Sequence, residues 1–200
     1  MVSLHGSKFN SNKGGSGGAC AFINISRSLL VDIKNCQFVR NEGRFSGGAV
    51  AVGSFSKWLD YSDSICIHGS EFSGNKLLRN ACGYLVCGGG AVGLYMLHMG
   101  NLSIVNDTFT DNQAEGKASG AIYAEVDYLY SDVEILSSEF LRNWATKGTS
   151  TLEITFSVSS QPRVTLQNLT FISNSADVNN SFTRDVKSDI VIHQIGRAHV

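Results

Sequence analysis

The chain has 200 residues, a net charge of −1 and only 16% charged residues. That balance leaves no basic patch for a phosphate backbone, so nucleic acid is not an expected partner. The richest apolar run, Cys87 to Met99, is broken by glycines and too short to cross a bilayer, so no membrane span is expected in this fragment.

From the first residues the chain speaks in a repeated phrase. Val2 and Leu4 alternate, Gly6 interrupts, Phe9 resumes the apolar face and Asn12 closes the unit. The phrase returns at Val31/Ile33 with Phe38 and Asn41, and at Ile65/Ile67 with Phe72 and Asn75. It returns again at Leu102/Ile104 with Phe109 and Asn112, at Val133/Ile135 with Phe140 and Asn143, and at Val164/Leu166 with Phe171 and Asn174. Residues two apart share one face of a strand, so each aliphatic pair and each Phe is expected inside. Three residues before the Phe stand Gly6, Asn35, Gly69, Asn106, Ser137 and Asn168. Gly and Asn tolerate positive φ best, which predicts a tight bend between two short strands.

A third strand is predicted after each Asn. GGACAF, GGAVAV, GGAVGL and SGAIYA place Cys20/Phe22, Val50/Val52, Val92/Leu94 and Ile122/Ala124 on one face, and TLEI keeps Leu152/Ile154 without the glycines. Three strands per turn in stacked turns describe an all-β, right-handed parallel β-helix of about six coils, the hand being that of parallel crossovers generally. The six Phe then form one internal ladder and the six Asn a second, whose amides satisfy the backbone groups of a buried turn. A leucine-rich repeat is the rival. The spacings between successive Phe, from Phe9 to Phe38 up to Phe140 to Phe171, exceed its usual period, and the second half of each unit is strand rather than helix.

The pairing of GGACAFIN with FVRN, GGAVAVGS with FSGN, GGAVGLYM with FTDN and SGAIYAEV with FLRN resembles the repeats of polymorphic outer-membrane proteins, an autotransporter-like adhesin family. The resemblance runs from Val2 to about Ile192. It implies secretion or display at the cell surface and a role in adhesion. The barrel of such proteins and its terminal signature do not occur in this sequence.

Chemistry is sparse. The outward positions of the Gly-Gly-Ala strands read Ala19/Ala21, Ala49/Ala51, Ala91/Gly93, Ala121/Tyr123 and Thr151/Glu153, an inert face on which a lone Glu153 cannot supply paired carboxylates. Neither the five histidines nor GGSGGA (Gly14 to Ala19) forms a metal or phosphate motif. No catalytic residue, metal or cofactor is therefore expected. Asp107 occupies a slot otherwise filled by Ser7, Cys36, Ser70, Ser138 and Leu169, and partial exposure is expected there. A ridge of loop aromatics, Trp58, Tyr61, Tyr95, Tyr128 and Tyr130, is the candidate contact surface for a glycan or a protein. The alternatives are a piece of a carbohydrate-active β-helix enzyme without its catalytic coils, and a structural spacer. Cys82 and Cys87 share one long insertion and can close it as a disulfide. The sequons at Asn24, Asn101 and Asn179 fall on expected loops, whereas Asn106 and Asn168 head sequons in the bend slot. Val2 and Leu4 already read as strand, with no signal peptide before them, so Met1 reads as an internal methionine. Residues 195–200 match the in-frame translation of a common sequencing adapter. The repeat domain is accordingly expected to span residues 1–194, incomplete at both ends and without caps.

Overall fold

A computed structural model describes residues 1–24, 28–54, 63–78, 88–96, 99–115, 119–126, 131–146, 151–157, 162–176 and 189–195. Every regular element among them is a β-strand, and every strand pairing is parallel. The strands form four sheets of six, each sheet taking one strand from every repeat. The chain is a β-solenoid.

The first sheet holds the aliphatic pairs, in Val2–His5, Leu30–Lys34, Asp63–His68, Met99–Val105, Asp132–Leu136 and Arg163–Gln167. The second holds the phenylalanines, in Lys8–Asn10, Gln37–Val39, Glu71–Ser73, Thr108–Thr110, Glu139–Leu141 and Thr170–Ile172. Between them the expected bend is present in all six repeats: Gly6, Asn35, Gly69, Asn106, Ser137 and Asn168 all have φ between 49° and 61°.

The number of strands per turn differs from the expected three. After each Asn a strand of only two residues, such as Glu42–Gly43 or Lys76–Leu77, forms a fourth sheet. A second left-handed bend separates it from the phenylalanine strand, at Ser11, Arg40, Gly74, Asp111, Arg142 and Ser173. The remaining sheet is the Gly-Gly-Ala sheet: Cys20–Asn24, Val50–Ser54, Val92–Met96, Ile122–Val126, Leu152–Ser157 and Ile190–Ile195. Its sixth strand has no Gly-Gly-Ala ahead of it, which is why the repeat pattern does not announce it. That strand takes in Ile195, the first residue of the segment expected to lie outside the stack; residues 196–200 lie outside the described residues.

Inside, like stacks on like. Phe9, Phe38, Phe72, Phe109, Phe140 and Phe171 are direct register partners, with ring centroids 4.8 to 5.1 Å apart and planes within 7° of parallel. Aliphatic side chains from the first and Gly-Gly-Ala sheets fill the rest of the core, including Ile33, Ile67, Ile104, Val50, Val92 and Leu152. The Asn ladder runs beside it. From Asn12 to Asn143, each Nδ2 donates to the next coil's Asn Oδ1 at 2.9 to 3.1 Å, and that Oδ1 also accepts the preceding Asn backbone N–H. From Asn41 onward, Nδ2 makes a second bond to the Phe carbonyl of the coil before. The ladder thereby pairs the polar groups that this turn buries.

The glycine pair has a steric cause. A Cβ on Gly18, Gly48 or Gly90 would stand 2.1, 1.8 or 2.1 Å from the carbonyl oxygen of the matching glycine one coil on. Adjacent coils approach here so closely that only hydrogen fits.

Candidate functional site

The side of the solenoid that differs most from coil to coil is the Gly-Gly-Ala sheet and the connections at its two ends. The first bend, the phenylalanine strand and the second bend keep constant length through all six repeats. By contrast, the link from the ladder Asn to the bridged glycine column grows from Asn12–Gly17 to Asn75–Gly89 and shrinks again to Asn112–Ser119. The link onward to the first sheet varies likewise, from Met96–Met99 to Ser54–Asp63.

The sequence expectation of a smooth, exposed outer face on this sheet is not met, in two respects. Ala49, Ala91 and Ala121 do not face out; they are fully buried in the core, because the chain is still turning into the strand there. Ala51, Tyr123 and Glu153 do alternate outward, yet they too are buried, Tyr123 with 3% and Glu153 with 6% of its surface exposed. The outward side of Gly93 is closed by the backbone of Ser46 and by Gly88, so the preceding connection folds over the sheet.

The repeat pattern ends one residue pair into each strand and so does not reveal a second outward row. It consists of Tyr95, Glu125 and Thr155, in direct register on three adjacent strands. Beside it runs the row Gly93, Tyr123 and Glu153. Tyr95 is therefore a strand residue rather than a member of a loop ridge, and its ring lies 5.6 Å from that of Tyr123 at a tilt of 42°. Trp58, Tyr61, Tyr128 and Tyr130 lie outside the described residues, as do Cys82 and Cys87.

The electrostatics of this cluster are coherent. Burial is the main reason both phenols hold their protons well above the usual range, and the carboxylates of Glu125 and Glu153 reinforce it. The Tyr123 hydroxyl hydrogen-bonds with Glu125, which strengthens its hold on the proton, and with Thr155, which weakens it. Two carboxylates, not one, thus share the face. Glu125 is half-buried and Glu153 is deeply covered.

Comparison with protein families, with curated proteins and with solved structures returns no match.

Elsewhere the outer surface carries rungs of paired charge: Lys34 on Asp32, Lys13 on Glu42, Lys76 on Glu115, Arg142 on Asp111 and Arg163 on Asp132, with the His5 ring hydrogen-bonded to Asp32 as well. Among the described residues no group of three or more His, Cys, Asp or Glu side chains is placed to hold a metal ion. No helix among them is long and apolar enough to cross a membrane. Of the sequon residues, Asn24 and Asn101 lie in strands rather than loops, whereas Asn106 and Asn168 are exposed at the first bend.

Proposed function

We propose that this chain is a non-catalytic repeat segment of an extracellular or cell-surface, adhesin-like protein, and that it presents the Gly-Gly-Ala side to a glycan or protein ligand. The observation that carries the reading is the confinement of variation to that side. Two bends and the phenylalanine strand between them are copied from coil to coil, while the connections flanking the Gly-Gly-Ala sheet change in length and bring in aromatic and acidic residues. A rigid scaffold that varies only in one set of loops is the usual arrangement for recognition. Tyr95 and Glu125 add a half-buried ring and a carboxylate between those loops, a pairing suited to sugar stacking or to a polar protein contact.

The resemblance to polymorphic outer-membrane repeats supports surface display. The carbohydrate-active reading draws on one observation, that Glu125 and Glu153 occupy adjacent strands of one face. Against it, Glu153 is covered and Glu125 is engaged by the Tyr123 hydroxyl.

Glycan-array and cell-binding assays on the purified chain test the reading. Trp58→Ala with Tyr61→Ala is expected to abolish the signal while the melting temperature moves little; Tyr95→Ala is expected to abolish it with some loss of stability, because the ring is partly buried beside Tyr123. Binding that survives both sets of changes removes this side as the contact surface. Turnover of any polysaccharide by the chain, lost in Glu125→Gln, would establish the enzyme instead.

A further inference from the structure

The bend between the first sheet and the phenylalanine sheet contains a side-chain column of its own, two residues before each Phe. Its members work in two directions. The side-chain oxygen accepts from the backbone of the coil before: Ser70 Oγ from Cys36 N–H at 3.1 Å, Asp107 Oδ1 from Ser70 N–H at 2.6 Å, and Ser138 Oγ from Asp107 N–H at 3.2 Å. The same side chain donates to the carbonyl two residues earlier in its own coil. Ser7 donates to His5 O at 3.0 Å, Cys36 to Lys34 O at 3.3 Å, Ser70 to His68 O at 3.2 Å and Ser138 to Leu136 O at 2.9 Å.

Asp107 is the one member of this series whose second role requires an added proton. It is not partly exposed as the sequence suggests; it retains 1% of its surface, and Oδ2 is buried without a hydrogen-bond partner. A carboxylate has no proton to donate, whereas a carboxylic acid matches a serine in both directions. We propose that Asp107 is a proton-binding site of this fold: in the folded chain it is a neutral acid that carries its proton on the buried, otherwise unpartnered Oδ2, and its ionisation loosens the stack at that bend.

The surroundings favour the neutral form. Burial pushes the Asp107 carboxyl up to about 7, opposed only by backbone groups of Ser70 and Val105. Among the described residues no cation faces it from an element packed against it. On the coil before, His68 turns outward to Ser103 Oγ at 3.3 Å, and Glu71 is exposed. On the coil after, Glu134 and Glu139 occupy outward positions of their strands, and the phenylalanines two residues on from the column, Phe72, Phe109 and Phe140, are fully buried.

The direction of the pH effect follows. Below about 3.8, the ordinary value, both folded and unfolded chains keep the proton and the contribution is complete. From there to about 7 the unfolded chain releases it while the folded chain retains it, so the folding equilibrium weakens by up to about tenfold per pH unit. Above that window both forms are ionised and the loss is constant.

Carboxyl-carbon NMR of the folded chain reads the site directly: the Asp107 signal is expected to titrate near neutrality, and titration in the ordinary carboxylate range would overturn the proposal. Urea unfolding across the same range supplies the energetic arm. Asp107→Asn, a neutral isostere, and Asp107→Ser, the residue of the neighbouring coils, are expected to remove the loss of stability between about pH 4 and pH 7. Variants whose stability falls in parallel with the parent would overturn it equally. The parent's NMR titration decides the matter even if neither variant folds.

Discussion

Phe72 and Phe109, one coil apart, lie with ring centroids 4.8 Å apart and planes 6° from parallel, both fully buried. Each ring of the middle coils is therefore packed between two others, and removing one opens a gap that a rigid stack cannot collapse into. Phe109→Ala is expected to destabilise the chain by about 3–5 kcal/mol in urea unfolding. Phe9→Ala, in a half-buried end ring with a single neighbour, is expected to cost clearly less. Equal losses at the two positions would contradict the stacked-core account.

Asn112 stands at the centre of the amide ladder. Its Oδ1 accepts the backbone N–H and Nδ2 of Asn75, and its Nδ2 donates to Phe72 O and Asn143 Oδ1. Asn112→Ala leaves each of these buried partners one bond short, and each unsatisfied group costs about 1–3 kcal/mol. Asn112→Asp keeps the acceptor but turns a second oxygen toward two acceptors. It is expected to be at least as damaging at neutral pH, as thermal melts of the two variants will show.

These two ladders were legible in the sequence because each depends on one residue type at fixed spacing. The first bend was legible for the same reason, since Gly and Asn recur there. The second bend was not: Arg40 and Arg142 adopt φ of 53° and 50°, arginine does not announce a left-handed turn, and Gly74 and Asp111 alone do not make a pattern in so varied a column. The two-residue strands are too short to carry a period. The outer face of the Gly-Gly-Ala sheet was misread for a different reason. Alternation shows which way Ala51 and Tyr123 point, but not that these outward positions are buried, nor that a connection closes over Gly93 between them. The column of Asp107 is legible in the spacing but its burial is not, because the groups that cover the slot come from coils more than thirty residues away in sequence.

Gly90 gives a sharp test of coil spacing. Its φ is not in the left-handed region, so alanine there meets no torsional objection, only the Gly120 carbonyl at 2.1 Å and the Gln113 backbone at 2.8 Å. Because the obstructing atoms are backbone, they yield only by separating two coils. Gly90→Ala is expected to cost about 1–3 kcal/mol or more, as overpacked sites do. Gly15→Ala, whose Cβ would meet only the Phe45 ring at 3.7 Å, is expected to be tolerated.

The second bend offers a prediction of the opposite sign. Arg40 and Gly74 occupy equivalent, solvent-facing positions in successive coils, with φ of 53° and 62°. An L-residue in this region carries a steric cost of roughly 1–2 kcal/mol, and glycine carries none there but loses about 0.5–1 kcal/mol through its freer unfolded chain. The steric term is the larger, so Arg40→Gly is expected to stabilise the chain by up to about 1 kcal/mol. Gly74→Ala is expected to destabilise it by a similar amount. A Cβ at Gly74 meets nothing closer than the Arg40 Cγ at 3.6 Å, an ordinary contact, so the change isolates the torsional term. Arg142→Gly is the informative third member, because Arg142 also forms a two-pronged ion pair with Asp111 at 2.7 and 2.8 Å. That pair is exposed on both sides and contributes little when screened by solvent. Arg142→Gly should therefore gain less than Arg40→Gly at low salt and approach it at high salt. Urea midpoints for the three variants at two ionic strengths decide it; a loss of stability in Arg40→Gly would show that the bend is held by its side chain rather than strained by it.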